Sequence, residues 1–290
     1  MPTSTSGPLG PPSVRPVTRL LLARAITVAA RRAAEPGGIR FTERQLYYET
    51  CRVLRPTPPV LRRVAYSPAP PLRLSRFTEV LRGLDPDGLL PLPPGPAPTV
   101  GGPPREPDLH AYGLPRLLVC QDRAIAHMLL ANHVHLEAAC PVLSAADDLP
   151  LGPDTVAALE RAGGTTVHVL HDASPAGVAL PGRVREELGP VPGVRVASLG
   201  LVPRHVQALR LVSGRAPGPL PPSGPWPPGL RPAEVEWLAA GRFTEVAALP
   251  PARLLRAVLR LTRGPRPPRQ SVWSDLRGLR TAGFMTWPDA

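Results

Sequence analysis

Two stretches of the chain carry residue types that can do chemistry. The first is FTERQLYYETCR, Phe41 to Arg52, which sets Tyr47 beside Tyr48 in a chain with four tyrosines. Adjacent residues on a helix point about 100° apart, so both rings cannot share one buried face. The second ring is then core, surface or nucleophile. A phenol of pKa about 10 attacks poorly unless a neighbour stabilises its anion or a base takes its proton. Arg44 stands one turn before Tyr48 on the same helical face. The second stretch is VLHDASPAGVAL, in which Asp172 ends an apolar run and Pro175 and Gly177 open a helix. By residue type Asp172 serves either as a cap for that helix or as a site acid.

The elements that must position these residues are legible from periodicity. Apolar Val17, Leu21, Ala25 and Val28 fall on one stripe of a helix over 17–34, which Gly37 and Gly38 stop. Thr42 followed by Gln45 is a capping box, which predicts a second helix from Glu43 to about Leu54. A third is expected from Ser75 to Leu84, then a turn at Asp85–Gly88 and an extended piece over 89–92. Three helices and a terminal strand or hairpin are the parts of a winged-helix module.

Beyond a proline-rich linker near 91–107 the rhythm changes. Apolar runs at 117–120, 141–144, 167–170 and 194–201 alternate with helical stretches at 122–131, 153–162, 184–188 and 204–212. Such alternation indicates a parallel sheet covered on both faces. Ligands gather at the carboxyl ends of strands in these sheets, so Cys120, Asp172 and Leu201 are expected near the functional edge. Residues 232–261 read as two helical pieces parted by Pro250-Pro251. The tail carries Trp273, Trp287 and several arginines, as a docking or a disordered segment.

Composition narrows the class. The 44 prolines cluster in linkers, and the net charge is +12, with every cationic side chain an arginine. Loss of lysine with abundant Arg, Ala, Gly and Pro reflects GC-rich codon usage, but the charge still favours polyanions such as nucleic acid. Three cysteines, Cys51, Cys120 and Cys140, fit reduced thiols in a cytoplasmic protein better than a disulfide framework. The first apolar run is broken by Arg19 and Arg24, which fits neither a secretory signal nor a membrane span. His133 and His135 are i,i+2 with no third ligand in view, and a surface loop is expected there. His171 and His205 lie close to the predicted site. Exposed pairs such as Arg31-Arg32 and Arg62-Arg63 read as phosphate contacts or as solvated charge.

The stretch around Asp172 resembles the metal-binding loop of Toprim domains, whose form is Asp-x-Asp-Pro-x-Gly. Asp172, Pro175 and Gly177 match, and Ser174 replaces the second aspartate. The segment VASLGLVPRHVQAL, Val196 to Leu209, resembles the exit of the next strand in one Toprim branch, the A subunit of topoisomerase VI and the related meiotic double-strand-break transesterase. That family carries Arg-Asp/Glu-Ile/Leu-Tyr-Tyr in a preceding winged-helix domain, where this chain has Arg44-Gln45-Leu46-Tyr47-Tyr48. The resemblance covers that helix and roughly 116–212, about half the chain.

The chain then reads as α/β, with a flexible leader at 1–16 and a C-terminal helical extension and tail at 232–290 by composition, and, by the resemblance, a winged-helix domain at 17–100 and a Toprim-like domain at 108–215. The resemblance further implies transesterification of double-stranded DNA, with Tyr48 as nucleophile, Arg44 steadying the phosphate, and Asp172 with Asp122 holding Mg²⁺. A homodimer, a separate ATPase subunit and a nucleoid-associated cytoplasmic location follow from the same likeness. The departures are chemical. The first strand offers Cys120 or Gln121 where the family has glutamate, and Ser174 stands for an aspartate; none is a good Mg²⁺ ligand. Two alternatives therefore stand beside cleavage by tyrosine: a DNA-binding scaffold with a degenerate Toprim site, and a metal-dependent Toprim nuclease.

Overall fold

The computed structural model describes residues 16–56, 66–92, 113–216, 218 and 225–262. The leader, Arg62-Arg63, most of the proline linker and the tryptophan-bearing tail lie outside the described residues. Among the described residues no helix is long and apolar enough to cross a membrane.

The N-terminal module is α1 (Pro16–Ala33), α2 (Glu43–Leu54) and α3 (Leu74–Leu81). The turn after α1 places Gly37 and Gly38 at φ 138° and 70°, a region side chains avoid. The capping box of α2 forms: Gln45 N donates to Thr42 Oγ1 at 3.1 Å, and Thr42 N to Gln45 Oε1 at 3.0 Å. The buried stripe of α1 is Leu22, Ala25, Ile26, Ala29, Ala30 and Ala33, whereas Val17, Leu21 and Val28 are exposed. The expected stripe is thus turned, because the small alanines let α1 sit close on α2. The piece after α3 makes one parallel bridge, Phe41 to Leu89, and no hairpin wing is present among the described residues.

The second part alternates as expected: β1 (Arg116–Cys120), α4 (Arg123–Ala131), α5 (Val134–Ala138), β2 (Val142–Ser144), α6 (Ala145–Asp148), α7 (Pro153–Arg161), β3 (Thr165–Leu170), α8 (Pro175–Leu188), β4 (Val194–Ser198) and α9 (Pro203–Ala208). The four strands form a parallel sheet in the order β2-β1-β3-β4. α8 opens at Pro175, where Pro175 and Gly177 were expected to open a helix, and runs through 184–188: Ser174 caps it through Gly177 N at 3.0 Å and the helix tolerates Pro181 inside it. α5 replaces the loop expected at 133–135, and α9 ends before the predicted Val212.

Strand alternation sorts the core into two layers. Leu117, Val119, Val167 and Val169 pack with Leu159, Leu180 and Val184 of α7 and α8. Leu118, Cys120 and Leu170 face the other way, into one cluster shared by α4, the N-terminal helices and the C-terminal segment. That segment is β5 (Gly214–Arg215), α10 (Pro232–Ala239), β6 (Arg242–Phe243), a 3₁₀ turn (Val246–Ala248) and α11 (Pro251–Thr262). β5 and β6 pair antiparallel. Trp237, Leu238, Val246, Leu249, Leu254 and Val258 are all buried in the shared cluster. Asn132 also ties the N-terminal module to α4, accepting from Arg40 N at 3.0 Å and donating to Arg40 O at 2.9 Å.

Candidate functional site

The order β2-β1-β3-β4 makes the chain leave β1 and β3 in different directions, and a crevice opens between their carboxyl ends. Residues 244–246 enter it. Ala173 and Thr244 exchange backbone hydrogen bonds of 2.9 and 3.0 Å, and Asp172 Oδ1 accepts from Val246 N at 2.6 Å. Glu245 is thereby presented to α2, where Arg44 Nη2 donates to its Oε1 at 2.7 Å. One bond to the neighbouring turn fixes α2 there: Arg52, oriented by Glu49 of the same helix, donates to Ala248 O at 2.7 Å.

Of the four residues expected to act, Arg44 holds one carboxylate that sequence reasoning missed, Glu245, and Tyr48, Asp122 and Asp172 lie within electrostatic range of it. Arg44, Tyr48 and Asp122 each act electrostatically on Glu245, and Asp122 and Glu245 act on Asp172. The one available signal was an acid set in an otherwise apolar run, Phe243 to Leu249. Such an acid must find a partner.

The two tyrosines are both buried, in the cluster shared by the N-terminal helices and the C-terminal segment. Tyr47 donates to Leu72 O at 2.6 Å and meets the edge of Phe77 at 5.5 Å between ring centres. Tyr48 packs against Tyr47 at 5.1 Å and is 4% exposed. The two rings need not share one face to be buried, because α2 is covered on more than one side, by α3 at Tyr47 and by the 3₁₀ turn. Burial, reinforced by the Glu245 charge, holds the Tyr48 phenol well above its ordinary pKa, which opposes the anion that attack requires.

The acids are occupied with backbone. Asp122 caps α4, accepting from Ala124 N at 2.8 Å. Asp172 is pushed up to about 7 by burial, with its Val246 bond opposing the shift and Glu245 and Asp122 adding to it. Burial also raises Glu245. At the position of the family's glutamate, Gln121 Oε1 accepts from Asp172 N at 2.9 Å and bridges the two exits. Cys120 is fully buried and burial pushes its thiol far up, so it is neither ligand nor nucleophile as it stands. Ser174 serves the cap of α8, and Leu201 is buried.

This donor set does not fit Mg²⁺. The two expected ligands each spend an oxygen on an N–H, one is half-protonated near neutrality, and the third position is an amide. Among the described residues no three of His, Cys, Asp and Glu are grouped to hold a metal.

His171 follows β3 and is buried. Its Nδ1 lies 2.9 Å from the Asp172 carbonyl and so donates, leaving Nε2 to accept from Ser198 Oγ at 2.8 Å. Burial lowers its pKa and that of His205. No protein-family model, curated protein or solved structure matches this chain.

Proposed function

We propose that the chain is a double-stranded-DNA-binding protein that holds its target without cutting it, with a winged-helix-like N-terminal module joined to a Toprim-like sheet. The observation that carries this is the state of Tyr48: buried, protonated, and set against a carboxylate already engaged by Arg44. Those residues then lock the two parts of the chain together. Binding falls to exposed arginines. Arg19, Arg24, Arg31 and Arg32 of α1 and Arg76 of α3 are exposed and have no ion pair among the described residues. Contacts of this kind read phosphates and weaken steeply with salt.

A second reading, tyrosine transesterification, is favoured by the meeting of Arg44, Tyr48, Asp122 and Asp172 from two separate motifs around Glu245. In it the ionised Glu245 accepts the phenol proton and Arg44 swings to the phosphate, which requires residues 244–246 to loosen.

One experiment separates the readings. Duplex binding is followed by anisotropy across 50–200 mM salt, and supercoiled plasmid is incubated with Mg²⁺ or Mn²⁺ and quenched with detergent. The first reading expects binding that falls at least about tenfold over that salt range, unchanged in Tyr48→Phe, with no covalent product. A covalent adduct abolished by Tyr48→Phe establishes the second. Nicking that survives Tyr48→Phe and dies in Asp172→Ala points to the metal-dependent nuclease. Absence of binding at low salt ends all three.

A further inference from the structure

One strand further along the sheet, the carboxyl end of β4 opens into a cavity of about 740 Å³. That lies within the range of roughly 300–1,000 Å³ typical of small-molecule sites. Its walls include Arg183 and Arg185 of α8, Ser198 at the strand exit, Arg204 and His205 of α9, and Trp226. Glu186 is the single acid in the lining, against three arginines.

The cations differ in availability. Arg204 is committed to Glu234 at 2.7 Å, and Arg183 has a loose partner in Glu187 at 3.9 Å. Arg185 is exposed and has no ion pair among the described residues. The floor is rigid. Ser198 is fixed on His171, and a side chain at residue 200 would collide with the His171 ring, its Cβ 2.3 Å away. Trp226 is half-buried between Pro225 and Pro227, which restrict the backbone around it.

We propose that this cavity binds a planar aromatic anion of the nucleotide class, with the base stacked on Trp226 and the phosphate held by Arg185 and Arg183. An indole offers a face to any base, a guanidinium offers paired donors to phosphate oxygens, and apolar walls strengthen both. The ligand is either a free nucleoside monophosphate or the phosphorylated end of a nucleic-acid strand, which present the same chemistry. The inference does not rest on duplex binding.

The test is calorimetry and tryptophan fluorescence on the full chain, titrated with dAMP, deoxyadenosine, and single-stranded oligonucleotides bearing a 5′-phosphate or a 5′-hydroxyl. The expected result is saturable binding of dAMP, at least tenfold weaker for deoxyadenosine. Arg185→Ala weakens it at least fivefold by calorimetry, and Trp226→Ala removes the fluorescence change. Arg185 is exposed, so its replacement leaves the circular dichroism spectrum unaltered. Tighter binding of the 5′-phosphorylated strand than of dAMP, and than of its 5′-hydroxyl form, assigns the site to strand ends. Tighter binding of dAMP assigns it to free nucleotide. Equal affinity for deoxyadenosine and dAMP, no binding at millimolar dAMP, or affinity unmoved by both substitutions overturns the proposal.

Discussion

Two neighbouring exits of one parallel sheet end in opposite ways. Between β1 and β3 the crevice is filled by the chain itself: Gln121 and Asp172 accept from backbone N–H groups and Glu245 Oε1 from Arg44, which leaves the buried Glu245 Oε2 as the group without a hydrogen bond. At β4 the space stays open, rimmed by Arg204, which is held by Glu234, and by Arg183 and Arg185, whose ion pairing among the described residues is loose or absent. The topology favours the first position for a ligand, since strand order reverses there. The side chains favour the second. A place in a fold is therefore only an opportunity, and what decides its use is which polar groups are left unspent.

The sharpest way to break this contrast is pH. Burial pushes Asp172 up to about 7 in the folded chain, against 3.8 for a free carboxyl of this kind. A raised carboxyl contributes to stability fully below the unfolded value, and that contribution is lost as pH rises through about 7. Wild type should thus lose on the order of 4 kcal/mol between pH 4 and pH 8 from this group. Asp172→Asn keeps an acceptor for Val246 and should flatten the profile, read as urea midpoints across that range. Parallel profiles would show that the crevice does not exclude water.

Two glycines of α8 sharpen the comparison, one on each side. A Cβ at Gly177 would lie 2.3 Å from the Asp172 carbonyl oxygen, whereas one at Gly182, in the cavity wall, meets nothing within 4 Å. Gly177→Ala should destabilise by about 1–3 kcal/mol. Gly182→Ala should stabilise by roughly 0.5–1 kcal/mol, because glycine is a poor helix former. Thermal denaturation of both variants checks the signs; two shifts of the same sign would dissolve the distinction.

A smaller effect is expected at Tyr48. Removing its hydroxyl in Tyr48→Phe, beside the Glu245 carboxylate, should change stability by no more than about 1 kcal/mol in chemical denaturation. Smallest is Arg185→Ala, which should alter stability by less than about 0.5 kcal/mol, as expected for an exposed charge serving something other than the fold. A loss several times larger would mean that the arginine rim is structural.

Much of this was legible beforehand because it is local. The capping box of α2, the glycine stop of α1, the four strands and the proline break before α11 all follow from spacing within a few residues. The rotated stripe of α1 was not, because a helix rich in alanine and leucine offers several faces of similar hydropathy and its partner decides among them. The continuity of α8 through Pro181 was not legible either, because that residue argues against a helix locally and is outvoted by packing.

By itself, then, the sequence determined the parallel α/β order, the arginine-only positive charge and the four residues of interest. Only tertiary structure decided what those residues do. Glu245 lies 201 positions from Arg44 in the chain, and no periodicity links residues so far apart. Whether a carboxylate or a phenol is reactive depends on the water and charges around it, and those are supplied by segments distant in sequence.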